Sequence, residues 1–98
     1  MNMQQMIIQA QKMQREMKKK QAELEQKEFT ISKGGAVTVV VMGNKTIKSI
    51  DIDKDAMDPD NKEMVEELIA LAINEAVEKI KAEEAAINEQ ITGGAGMF

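Results

Sequence analysis

Side chains suited to covalent chemistry are scarce in this sequence. It contains no His and no Cys. Its serines, Ser32 and Ser49, both lie in strand-like stretches and lack a neighbouring base or a nucleophile motif. Asp and Glu together number 17, yet no spacing marks a pair as buried in a cleft, so they read as solvated helix faces. Asp51, Asp53 and Asp55 imitate the opening of a calcium loop. That loop needs Gly at its sixth position for a sharp turn and Glu at its twelfth as a bidentate ligand, and Ala56 and Lys62 stand there instead. Gly93-Gly94-Ala95-Gly96 has no following Lys-Ser/Thr and reads as a helix stop, not a phosphate loop. The expectation is a binding protein: no enzyme, no catalytic residue, no metal, no cofactor and no small-molecule substrate.

The basic residues are more informative. Lys12, Arg15, Lys18 and Lys19 fall on one face of a helix-forming segment, opposite an apolar seam, with Lys20 at the seam's edge. Exposed rows of this kind neutralise nucleic-acid phosphates. The same pattern also arises as the solvated side of an amphipathic helix, and both readings stay open. The chain has two Phe and neither Tyr nor Trp, so base stacking has no support. Net charge is −4 but uneven: residues 1–53 hold 9 Lys/Arg against 6 Asp/Glu, whereas residues 54–98 hold 4 against 11. Such asymmetry serves either an interaction surface or solubility.

These residues must be positioned by a small α+β scaffold. With 98 residues, residues 1–98 are expected to form a single domain. Helix one is expected over residues 1–28, free of Gly and Pro, with Met3, Met6, Ala10, Met13, Met17 and Leu24 forming a heptad-like seam. A three-stranded antiparallel β-meander follows over 29–53, with turns at Gly34-Gly35 and Gly43-Asn44. Val37, Val39 and Val41 share one face of the middle strand, and Ile50 and Ile52 share one face of the third. Thr38, Val40 and Met42 leave the opposite face partly apolar, which calls for a contact there. Asp58-Pro59 opens helix two over 59–91, with the stripe Val65, Leu68, Ile69, Ala72, Ile73, Ala76, Val77 and Ile80. Asn74 beside this stripe is expected to be a buried amide with a structural role. Gly93 and Gly94 end the helix, leaving 92–98 as a flexible tail on which Met97 and Phe98 could dock.

Element lengths then matter. Helices of about 39 Å and about 50 Å must overhang strands of about 23 Å, and their apolar stripes run on into the overhang. A monomer would expose those residues, so a homodimer with projecting helical arms is expected. A core rich in flexible Met (9 residues) and poor in aromatics also invites burial against a second subunit. No apolar run is long enough to span a bilayer and no signal peptide is evident, so no membrane partner is expected and the cytoplasm is the expected location.

The ordered set of motifs resembles the YbaB/EbfC family of bacterial nucleoid-associated proteins. The matching stretches are Met6-Ile-Ile-Gln-Ala-Gln-Lys-Met-Gln-Arg-Glu-Met17, Gly34-Gly35, Val37-Thr-Val-Val-Val-Met-Gly43 and Ile50-Asp-Ile-Asp53. To these add Glu63-Met-Val-Glu-Glu-Leu-Ile-Ala-Leu-Ala-Ile-Asn-Glu-Ala76, with its Asn74-x-Ala76 pattern, and a Gly-rich end closing on Phe98. The resemblance implies an α-β-β-β-α protomer assembled as a tweezer-like homodimer. It implies DNA as partner, residence in the nucleoid, and a nucleoid-organising or gene-regulatory role. Family members often begin with a Gly/Met-rich extension, whereas here helix one is expected to start almost at once. The competing function is a chaperone-like or structural module whose Met-rich, coiled-coil-like arms hold other proteins.

Overall fold

The computed structural model describes residues 2–92, with side chains through residue 89. Helix α1 spans Met3–Glu25, strands β1, β2 and β3 span Glu28–Lys33, Val37–Met42 and Ile47–Ile52, and helix α2 spans Lys62–Thr92. The α-β-β-β-α order and the antiparallel meander, in spatial order β1-β2-β3, are as the sequence indicates. The expected tail, with Met97 and Phe98, lies outside the described residues apart from Thr92, which closes α2.

The turns set the register. Gly34 and Gly35 both have φ near +60° (60° and 64°), and the Ala36 amide donates to the Lys33 carbonyl at 3.1 Å. That two-residue, left-handed turn matches the twist of the hairpin it joins. The second turn uses a different residue for the same purpose. Lys45 takes the positive φ (71°), while the Met42 and Thr46 backbones close the loop. Gly43 serves proximity instead: a Cβ there would lie 1.7 Å from the Leu24 carbonyl oxygen. Its amide donates to the Lys27 carbonyl at 2.9 Å, fastening the end of α1 to the sheet.

The core lies between one sheet face and α2. Phe29 and Ile31 from β1, with Val37, Val39 and Val41 from β2, meet Val65, Ala72, Ala76 and Ile80 of α2. Ala72 and Ala76 are fully buried, and their small side chains let the helix axis approach the middle strand closely. On the other sheet face, Thr38, Val40 and Met42 are half-buried. Part of their cover is polar: Ser32 and Thr38 share a 2.9 Å hydrogen bond, and Lys48 pairs with Glu28 at 2.7 Å.

Two expected boundaries shift. Helix α1 ends at Glu25 rather than residue 28, because Glu28 already pairs with Met42 in the sheet. Asp58-Pro59 opens a single 3₁₀ turn, Pro59–Asn61, before α2 proper begins at Lys62. Asn74 is exposed in the single chain, contrary to the expectation of a buried amide. Two residues before Ala76, it sits about 160° around the helix from that buried position.

Ion pairs fasten α2 to β1 and to the residue just before it. Lys33 donates to Glu75 at 2.6 Å and Lys27 to Glu83 at 2.7 Å. The hydrogen bond from Lys33, opposed by partial desolvation and aided by the charges of Lys33 and Lys79, holds the Glu75 carboxyl below its ordinary value of 4.5. A lowered folded-state pKa gives stability that is complete above the unfolded value and is lost as pH falls through the folded one.

Two measurements follow. Gly43→Ala should lower unfolding stability by about 1–3 kcal/mol in urea titration, since the added methyl meets a backbone carbonyl that cannot rotate away. Lys33→Met should be less stable than the parent near neutrality, and the gap should close as pH falls below the ordinary carboxylate range. A gap independent of pH would assign its cost to packing instead.

Candidate nucleic-acid interface

Helix α1 begins with a cap that the composition of its first turn conceals. The Gln5 amide donates to Asn2 Oδ1 at 2.8 Å, and the Asn2 amide donates to Gln5 Oε1 at 3.4 Å. This reciprocal pair satisfies two otherwise orphaned donors. The Asn-x-x-Gln spacing was the available sequence signal, and it stabilises a helix end that has little packing of its own.

Only the C-terminal part of α1 is anchored. Leu24 is buried, Lys27 reaches Glu83, and Leu24 and Ile87 line the same hollow, so α1 and α2 run antiparallel there. Met13, Met17 and Lys20 are half-buried, whereas every residue from Asn2 to Lys12 is exposed. The molecule measures 69 × 24 × 14 Å with a radius of gyration of 19.6 Å. A compact chain of this length would have a radius near 13 Å. The expected projecting arm is therefore present in the single chain.

The four candidate cations all lie on this arm. At about 100° per residue, Lys12, Arg15, Lys18 and Lys19 fall within about 60° either side of the line opposite Leu24. All four are exposed. In and beside the sheet, four lysines are committed to carboxylates: Lys27 to Glu83, Lys33 to Glu75, Lys45 to Glu84 and Lys48 to Glu28. Among the described residues, no ion pair engages any of the four arm cations. From Lys12 to Lys19 the helix rises about 10 Å, a length over which duplex DNA carries about six negative charges.

The chain belongs to the YbaB/EbfC DNA-binding family. The family model matches residues 1–95. Among curated relatives, a nucleoid-associated protein of Clostridium novyi is 48% identical over 98 residues, covering 99% of this chain and 86% of its own length. One of Mycoplasmopsis pulmonis is 45% identical over 94 residues, covering 96% and 93%. One of Malacoplasma penetrans is 44% identical over the whole of both chains. This family is a DNA-binding family and not an enzyme family.

The acidic triplet has a local explanation. Asp53 Oδ1 accepts from the Asp55 amide at 2.9 Å, capping the 3₁₀ turn Lys54–Ala56. Asp51 is paired across from Thr38 in the sheet. No described helix is long and apolar enough to cross a membrane.

If the arm row meets phosphates, its residues should act by charge and not by base reading. Arg15→Gln should weaken binding to unrelated duplexes by a similar factor and reduce the slope of log affinity against log salt by about one unit. A loss confined to one sequence would instead point to base contact.

Proposed function

We propose that this chain is a nucleoid-associated protein that binds duplex DNA as a homodimer, gripping phosphates with the Lys12, Arg15, Lys18 and Lys19 rows of two projecting arms. Residues 1–98 act as one DNA-binding unit located in the bacterial cytoplasm, at the nucleoid. Binding of this kind organises DNA and adjusts expression of the genes it covers.

The observation that carries the reading is the contrast in how cations are used. Lys27, Lys33 and Lys45, in and beside the sheet, pair with glutamates of α2, whereas the arm row is exposed and, among the described residues, makes no ion pair. Two such rows in one assembly would double the phosphates engaged. A net charge of −4 does not oppose this, because at physiological salt a phosphate responds to charges within about 8 Å.

A second reading draws on the arm's tip. Met3, Met6, Ile7 and Ile8 are 77, 58, 52 and 61% exposed, an apolar end suited to holding other proteins. The two readings differ in salt response. DNA binding through the row should fall steeply with salt, and a Gln variant at all four positions should lose most affinity and most of the slope while staying folded. Retention of both by that variant would remove the row from the interface and favour the tip. Sedimentation at micromolar concentration should give twice the 10.9 kDa chain mass. A monomer throughout would end the two-armed model.

A further inference from the structure

Helix α1 carries an apolar seam that outruns its cover. At about 100° per residue, Met3, Met6, Ala10, Met13 and Met17 lie within about 60° of Leu24, the buried residue that seats α1 on α2. The seam therefore faces the line along which α2 runs, opposite the cation row. The two helices are antiparallel, with Lys27 against Glu83 and Leu24 beside Ile87. A few residues beyond Ile87, α2 reaches Thr92, level with about residue 19 of α1. Past that level exposure rises along the seam. Met17 and Met13 are half-buried, Ala10 is exposed, and Met6 and Met3 are 58% and 77% exposed. From Met13 to Met3 the helix rises about 15 Å.

We propose that residues 93–98, Gly-Gly-Ala-Gly-Met-Phe, run on from α2 along this seam of their own chain and set Met97 and Phe98 against Met6 and Ala10. Reach, composition and tethering select this occupant. Fully extended, the segment after Thr92 spans about 20 Å, which carries it from the level of residue 19 to that of about residue 6. That is the stretch α2 leaves bare. The segment has no charged or hydrogen-bonding side chain. Its small residues let the backbone lie close to a helix surface, and Met97 and Phe98 bring apolar area to a methionine ridge, where thioether and aromatic groups attract. A short flexible tether holds it at an effective concentration in the millimolar range, about the most a free partner would ever reach. DNA is a poor occupant, because the cations of α1 lie on the other side of the helix. Cover on this side matters for the arm as a whole, since a helix with little packing is marginal in water. The tail thus supports the segment that presents Lys12 and Arg15 while leaving both open.

Disulfide trapping and amide hydrogen exchange on the 98-residue chain test the proposal, and neither readout needs DNA. The sequence has no Cys, so an introduced pair reports alone. Gly96 falls level with Ala10, about 13 Å past Thr92 at full extension. Ala10→Cys with Gly96→Cys should close an intrachain disulfide at least about tenfold faster than Gln11→Cys with Gly96→Cys. Gln11 sits at the same height but about 100° further round the helix. Separately, Met97→Asp with Phe98→Asp should quicken exchange from Met6 to Met13 by about tenfold, with the circular dichroism and the exchange of the sheet unchanged. Equal closure rates for the two pairs, or unchanged arm exchange in the Asp variant, would overturn the proposal. A disulfide that forms only between chains, read as a doubled mass on a non-reducing denaturing gel, would overturn it in favour of a second copy's tail.

Discussion

A single helix covers a three-stranded sheet, and most of the molecule's behaviour follows from that mismatch. A helix with its side chains is about 10–12 Å across, while three strands about 4.8 Å apart, with their own side chains, make a wider floor. Helix α2 settles over β2 and β1, where Ala72 and Ala76 let it sink onto Val37, Val39 and Val41. The third strand is left with its apolar face half open. The protomer is therefore asymmetric: closed by ion pairs along β1 and unfinished along β3.

The same helix creates the arm. Its length, about 46 Å for 31 residues, exceeds what a sheet of six-residue strands supports. Its far end reaches the end of α1 through Leu24 and Ile87. Gly43 allows α1 to land there, because only a residue without a Cβ lets the Leu24 carbonyl come so near. From that anchor α1 runs outward with little packing. The Asn2–Gln5 cap and a run of good helix formers sustain it. Core packing and arm projection are thus one problem, solved at a single glycine contact.

Much of this was legible in the residues. Alternation at Val37, Val39 and Val41 located the middle strand, Gly34-Gly35 located its turn, and the Val65-to-Ile80 stripe located the covering helix. Those signals are local and repeat with the period of the element. What escaped depended on tertiary placement. Asn74 neighbours the stripe in sequence, but the helix rotates it away from the sheet. Gly43 looked like a turn residue, while the positive φ fell on Lys45 and the glycine answered to a carbonyl from a distant helix. The 3₁₀ turn after Asp58 is capped by the Asp58 carboxylate, which accepts from the Asp60 amide at 2.9 Å. Of the candidate site, composition marked the cations, but not that they make no ion pair among the described residues; that required knowing where the described glutamates of α2 point.

That last point explains how an acidic chain fits a DNA-binding family. Net charge counts every residue equally, whereas a phosphate responds to fixed charges within a Debye length. In the body of the molecule Lys27, Lys33 and Lys45 lie against Glu83, Glu75 and Glu84, so their fields largely cancel at the surface. Along the arm Lys12, Arg15, Lys18 and Lys19 face solvent away from α2, so theirs do not cancel. The excess of carboxylates lies in the second half of the chain, most of it on α2. In the proposed binding mode, an approaching duplex would be repelled by the body and attracted by the arm. Segregation of charge would then orient the encounter, with the acidic half contributing to that orientation instead of opposing it.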